Sequence, residues 1–390
     1  MSKKSPQLRF EGFTDDWEER KLGDITKIST GKLDANAMVE NGKYDFYTSG
    51  IKKYRIDVAA FEGPSITIAG NGATVGYMHL ADNKFNAYQR TYVLQEFLVD
   101  RSFIFSEIGN KLPKKIKQEA RTGNIPYIVM DMLTELKVSI PQNNTEQKKI
   151  GDFFKQLDDT IALHQRKLDL LKETKKGFLQ KMFPKNGAKV PEIRFPGFTG
   201  DWEDRKLSSI AERVTRKNKN NESTLPLTIS AQDGLVDQND YFNKQVASRD
   251  VTGYFLVKNG EFAYNKSYSN GYPWGAIKRL DKYEMGVLST LYIVFKPTAI
   301  NSQFLVSYYE TTRWYREVSK NAAEGARNHG LLNISPNDFF NTLLTIPKSA
   351  EEQQQIGSFF KQLDDTIALH QRKLDLLKEQ KKGFLQKMFV

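Results

Sequence analysis

Residues 151–183, GDFFKQLDDTIALHQRKLDLLKETKKGFLQKMF, return at 357–389 identical at 31 of 33 positions, with only Asp152/Ser358 and Thr174/Gln380 differing. A repeated element must satisfy the same surroundings twice, which implies an approximate two-fold built within one chain. A weaker repeat supplies the phase: residues 6–22 match 191–207 at 12 of 17 positions. Each half thus runs short opening motif, variable region, long repeated segment, and a polar linker ending at Pro191 joins the halves. The opening motifs lie 185 residues apart and the long segments 206 apart, so the second variable region is 21 residues longer (206 − 185). Copies that keep their ends and diverge in their middles suggest one frame presenting two different surfaces. The divisions expected are 1–140, a helical spacer 141–184, the linker 185–190, a second region 191–346 and a second spacer 347–390.

The repeated segment reads as a long helix. Apolar positions step by four and three through Phe154, Leu157, Ile161, His164, Leu168 and Leu171, and again through Phe360, Leu363, Ile367, His370, Leu374 and Leu377, a heptad seam. The natural partner of the seam is its own copy, running antiparallel, with His164 and His370 as polar seam positions that fix register rather than as a pH switch. Gly177 and Gly383 interrupt the last turns and are expected to kink the helix, and Pro184 stops the first copy. A helix of 33 residues spans about 50 Å at roughly 1.5 Å per residue, against roughly 34 Å for one turn of B-DNA. Such a pair could hold two domains on successive turns of one DNA face, or separate two protein-binding modules.

Within the variable regions the pattern is mainly strand-like. Residues 65–69 and 74–80 read as strands joined by the glycine-rich turn Gly70-Asn-Gly72, and residues 261–264 and 274–280 as a second version of that hairpin with a longer tip. Residues 92–94 and 291–295 add strands, while 102–112 and 302–319 look helical. The fold expected is α+β, with two domains of mixed α/β structure separated by two long antiparallel helices, a pseudo-two-fold tandem repeat.

Composition narrows the function. Zero cysteines exclude disulfides and thiolate chemistry, and four histidines leave little for zinc. No stretch reaches the roughly 18 apolar residues of a membrane span, and MSKKSPQLRF lacks the apolar core of a signal peptide, so a cytoplasmic location is expected. A net charge of +11 and a pI near 9.3 point toward a polyanionic partner. Gly31-Lys32 and Gly42-Lys43 lack the following Ser/Thr of a P-loop, and the residues after Gly70-x-Gly72-x-x-x-Gly76 alternate as a strand instead of opening a helix. Asp131 with Glu135-Leu-Lys137 is spaced too closely for a metal-nuclease signature, and no Asn/Asp-Pro-Pro-aromatic tetrapeptide of amino-methyltransferases occurs. No catalytic site and no metal site are expected.

Candidate nucleic-acid contacts follow from the frame. The 206 offset makes Arg121 and Arg327 equivalent. Lys111, Lys114, Lys115 and Lys117 make a basic run before the first, and Asn328 and His329 follow the second. Arginine offers a rigid fork for guanine or phosphate, lysine a point charge, and asparagine can read adenine. A solvated face is the rival reading of the lysines, and a structural ion pair that of the arginines. The hairpin tips offer Asn265, Lys266, Ser267, Tyr268, Asn270 and Trp274 in one half and Asn71 and Thr74 in the other, and Arg216, Lys217 and Lys219 suit phosphates.

Two divergent regions, each followed by Ile-Pro-x-x-x-x-Glu-Gln-x-x-Ile (140–150 and 346–356) and a near-identical helix with Leu-Asp-Asp-Thr-Ile and Leu-Leu-Lys, resemble the specificity subunit of a type I restriction-modification system. The opening motif Gly-Phe-x-x-Asp-Trp-Glu and the run 327–334 are similar too, although the first half departs at 121–128, leaving Thr122 and Gly123 unmatched beside Arg121. The resemblance covers essentially the whole chain. It implies that each variable region is a target recognition domain for one half of a bipartite, asymmetric sequence in double-stranded DNA, with the helices as a ruler for the gap. It further implies docking of two modification subunits carrying S-adenosylmethionine, which methylate a flipped adenine, and of restriction subunits using ATP and Mg. A non-enzymatic two-domain adaptor for proteins, with a coiled-coil spacer, is the alternative; DNA affinity that falls with salt distinguishes them.

Overall fold

A computed structural model describes residues 5–119, 126–185, 187–230, 232–267, 271–322 and 332–390. The chain divides into two compact units, one of residues 1–166 with 371–390 and one of residues 167–370.

In each unit the opening motif leads into an edge strand. Glu18–Lys21 pairs antiparallel with Lys137–Ile140, and Glu203–Lys206 with Leu343–Ile346, the strands that lead into the long helices. An arginine of the opening motif then locks onto the glutamate of the Glu-Gln element. Arg9 Nε and Nη2 donate to Glu146 at 2.6 and 2.8 Å, and Arg194 donates to Glu352 at 2.7 and 2.8 Å. The neighbouring glutamines repeat as well: Gln147 accepts from Asp100 N and donates to Pro141 O, as Gln353 does with Asn301 N and Pro347 O. Gly151 and Gly357 sit where a Cβ would come within 2.6 and 2.7 Å of the backbone nitrogens of Phe103 and Phe304, so both copies need glycine to let a second helix approach.

Each unit carries a four-stranded antiparallel sheet in the same order. In the first it runs Lys27–Thr30, Thr91–Gln95, Ser65–Ala69, Met78–Ala81; in the second, Ala211–Val214, Ile293–Pro297, Phe262–Asn265, Ala276–Arg279. The two hairpins are therefore counterparts. Their outgoing strands start later than the alternation suggests, at Met78 and Ala276 instead of 74 and 274. In the first, Gly72 (φ +85°) and Gly76 (φ +81°) hold a wider turn, with Gly76 N bonded to Ala69 O. Beyond this sheet the units diverge. The first has a mixed sheet ordered Tyr54–Ile56, Tyr44–Tyr47, Lys84–Ala87, Phe61–Glu62, whereas the second has separate pairs, Leu227–Ser230 with Gly234–Asp237 and Phe255–Lys258 with Met285–Leu288. The expected helix 302–319 is broken into Ser302–Glu310 and Tyr315–Asn321, because Thr311 turns extended and Trp314 is drawn into the core.

The long helices span Asn144–Lys181 and Ala350–Met388, about 57 Å for the 38 residues of the first. Helical structure continues unbroken through Gly177 and Gly383. In both copies Phe154, Leu157, Ile161, Leu168 and Leu171, and Phe360, Leu363, Ile367, Leu374 and Leu377, are buried or half-buried, as are His164 and His370. In the first unit Phe153 meets Phe384 at 5.0 Å and Asp158 pairs with Lys381; in the second Phe178 meets Phe359 at 5.0 Å and Lys175 bonds Asp364 at 2.5 Å. Rising numbers on one helix meet falling numbers on the other, so the start of each long helix lies antiparallel to the end of its copy.

One difference between these matching seams is testable. Lys175 also pairs with Glu310 at 2.6 Å, and its two carboxylates hold the lysine charged against its burial, while Lys381 has Asp158 alone among the described residues. Lys175→Ala strands two half-buried acids together, so it should lower the thermal midpoint more than Lys381→Ala. Equal shifts by calorimetry would remove Glu310 from the account.

Candidate nucleic-acid interface

The first unit builds its candidate surface at the hairpin tip. Ser49 Oγ donates to Asn71 Oδ1, and Thr74 Oγ1 donates to the Ser49 carbonyl. Both contacts tie the tip to residues 48–53, the loop between Tyr44–Tyr47 and Tyr54–Ile56. His79 Nε2 lies 3.4 Å from Gly50 O, its ring 5.1 and 4.9 Å from those of Tyr47 and Tyr77. Burial holds this imidazole below its ordinary pKa, against the opposing pull of the Gly50 carbonyl. Asn71 and Thr74 are thus half-buried, and the oxygens just named are committed to the loop. The exposed residues of this loop are Ile51, Lys52 and Lys53, none of which the sequence pattern singles out.

The lysine run lies on the helix Arg101–Glu119. Lys111 donates to Val390 O at 2.5 Å, Lys114 to Asn110 Oδ1 at 3.3 Å, Lys115 pairs with Glu119, and Lys117 stands exposed. Most of the run therefore has partners within the protein. Arg121 lies outside the described residues.

In the second unit Arg216 Nη2 donates to both oxygens of buried Glu261 at 2.8 and 2.7 Å, and Glu261 also accepts from Lys258 N at 2.8 Å. Such a pair fixes the sheet edge, and removing either charge would strand the other. Lys217 donates to Gly253 O at 2.9 Å with its ammonium 4.3 Å above the Phe255 ring, and Lys219 is exposed. At the hairpin tip Asn265 Oδ1 accepts from Ser267 N at 3.0 Å. Lys266 reaches Ile334 O at 3.3 Å, its pKa lowered by burial. Trp274 is half-buried against the unit's core. Tyr268, Asn270, Arg327, Asn328 and His329 lie outside the described residues. Asn265 and Ser267 open onto a groove of about 670 Å³ whose other walls include Gln238, Tyr241, Tyr272 and Tyr292. Amides and hydroxyls at one mouth can donate to and accept from base edges. Gln238 and Tyr241 do not stand out as candidates in the sequence because they fall on a short helix, Gln238–Phe242, in a segment with no periodicity of its own.

Among the described residues no group of three or more His, Cys, Asp or Glu is placed to hold a metal ion, and no helix is long and apolar enough to cross a membrane.

The sequence profile of the type I restriction modification DNA specificity domain matches residues 14–173 and 199–379, once in each half. The chain belongs to this family. It is similar to the Type I restriction enzyme EcoDI specificity subunit of Escherichia coli, 33% identical over 182 residues, which cover 46% of this chain and 40% of that one. Similarity to the MjaVIII specificity subunit of Methanocaldococcus jannaschii is lower, 22% over 409 residues, but covers 95% of this chain and 91% of the relative. Among solved structures, the type I S subunit from M. genitalium shares the fold, with a TM-score of 0.68 at 19% identity over 99% of each chain. The description of the matching family names DNA specificity within type I restriction modification, and the alignment to the EcoDI subunit spans less than half of that relative's length. Within this chain, the repeated helices and the four-stranded sheets of like strand order are common to the two halves, and the loops and short sheets are where the halves diverge.

Proposed function

We propose that the two units read the two unlike halves of an asymmetric bipartite DNA sequence, one half-site each, with the long helices setting the gap. The observation that carries this reading is the contrast between sheets of identical strand order and tips of different chemistry: a basic lip at Lys52 and Lys53 in the first unit, an amide- and tyrosine-lined groove at Asn265 in the second. The partners are two modification subunits carrying S-adenosylmethionine, joined by restriction subunits that use ATP and Mg, in the cytoplasm. Leu163 and Leu170, with their copies Leu369 and Leu376, are 57 to 67% exposed on the helices and lie off the seam, which supports docking of one kind of partner at two equivalent places. Methylation sequencing of a host expressing this chain with a modification subunit should show one motif of two unlike halves separated by a fixed gap. A palindromic motif would refute the assignment of one half-site to each unit.

A further inference from the structure

The hairpin tip of the first unit spends its candidate oxygens internally. Asn71 and Thr74 hold Ser49, His79 backs Gly50, and the loop they hold projects Ile51 (57% exposed), Lys52 and Lys53 outward. Each ammonium lies 5.3 Å from an aromatic centroid, Lys52 over Tyr54 and Lys53 over Tyr47, which limits how far the two side chains sweep. Among the described residues neither has a carboxylate within ion-pair distance, in contrast to Lys115, Arg101 and Arg55 of the same unit. Two adjacent unneutralised cations on a braced loop have the electrostatic character of a phosphate contact.

We propose that residues 48–53 form the DNA-contacting lip of the first recognition domain, with Lys52 and Lys53 on backbone phosphates and with Asn71 and Thr74 as positioning residues that hold the loop. This rests on the DNA reading above and moves the contact from the tip to the loop that the tip braces. Sequence separations of 22 and 25 residues between Ser49 and its two partners hide the arrangement from any local pattern.

The test titrates duplex binding against salt, using the full chain assembled with its modification subunits. Each phosphate contact contributes about 0.9 to the slope of log affinity against log salt, so Lys52→Ala with Lys53→Ala should flatten the slope by about 1.8. Thr74→Val should shift the slope the same way, and Thr74→Ser, which keeps the hydroxyl, should restore it. The lysines are exposed, so an unchanged thermal midpoint is expected for their variant. A wild-type slope in the double-lysine variant overturns the proposal, and failure of Thr74→Ser to recover what Thr74→Val loses overturns the positioning role. A wild-type complex whose binding ignores salt would instead overturn the DNA reading, and the lip with it.

Discussion

Glu146→Ala should destabilise the first unit by about 3 to 5 kcal/mol, the usual cost of leaving a buried charge without its partner. Glu146 is wholly buried, and both its oxygens receive the guanidinium of Arg9, which is itself only 13% exposed. The hydrogen bond to Glu146 raises the Arg9 pKa, and although that contribution goes with the carboxylate, a guanidinium stays protonated at any ordinary pH, so the arginine is left charged and unpaired. The same truncation at Glu352 should act on the second unit, where Arg194 stands in the equivalent place and Trp202 Nε1 adds a third contact at 3.3 Å. Replacing both members by apolar residues, Arg9→Met with Glu146→Leu, should recover most of the loss, because the desolvation cost disappears with the charges. Denaturant midpoints measure both. A shift below about 1 kcal/mol for the single variant would mean that water reaches the pair and that the N-terminal segment around Arg9 is not pinned by it.

Glu107→Gln should make the first unit more stable at pH 8 and leave it nearly unchanged at pH 5. Glu107 is fully buried on the helix Arg101–Glu119, where burial pushes its carboxyl up to about 7 from an ordinary 4.5 against the opposing pull of Ser139 N. One oxygen accepts from Ser139 N at 3.0 Å; the other has no hydrogen-bond partner among the described residues, and Lys111 stays 3.9 Å away. A carboxyl whose folded pKa is raised binds a proton on folding, so its contribution is complete below about 4.5 and is lost as pH rises through about 7. The loss by pH 8 is on the order of 3 kcal/mol, which the amide avoids while keeping the Ser139 contact. In the second unit Tyr308 lies against the backbone of Thr345, the counterpart of Ser139, and carries no such titration near neutrality. Unfolding at the two pH values with no difference between Glu107 and Gln would place water beside the carboxyl.

The helices and the hairpins are legible because each rests on a local period. A heptad seam announces itself over a few turns, and the alternation in Ser65–Ala69 over a few residues. The arginine-glutamate locks are not, since Arg9 and Glu146 lie 137 residues apart and a repeat shows only that both recur, not that they meet. Arg216 to Lys219 read as phosphate binders on charge alone, and the structure gives Arg216 to Glu261, 45 residues away, and Lys217 to a carbonyl and a ring. Lys52 and Lys53 escape notice for the converse reason. Their significance comes from having no carboxylate within ion-pair distance among the described residues and from a brace made by another part of the chain, and neither has a sequence signature. The strand starts at Met78 and Ala276 differ from the alternation because wide turns follow backbone geometry rather than side-chain pattern.

The division of the chain also orders its synthesis. The second unit is one continuous stretch, 167–370, whereas the first needs residues 371–390, whose Met388 and Phe389 fill its core beside Trp17, Phe103 and Phe154. On the ribosome, the half made first must therefore wait with part of its apolar interior open while the half made second already has all its residues. The earlier domain is the last to close, and a nascent chain halted before residue 371 would expose the aromatic floor that the final helical turns are made to cover.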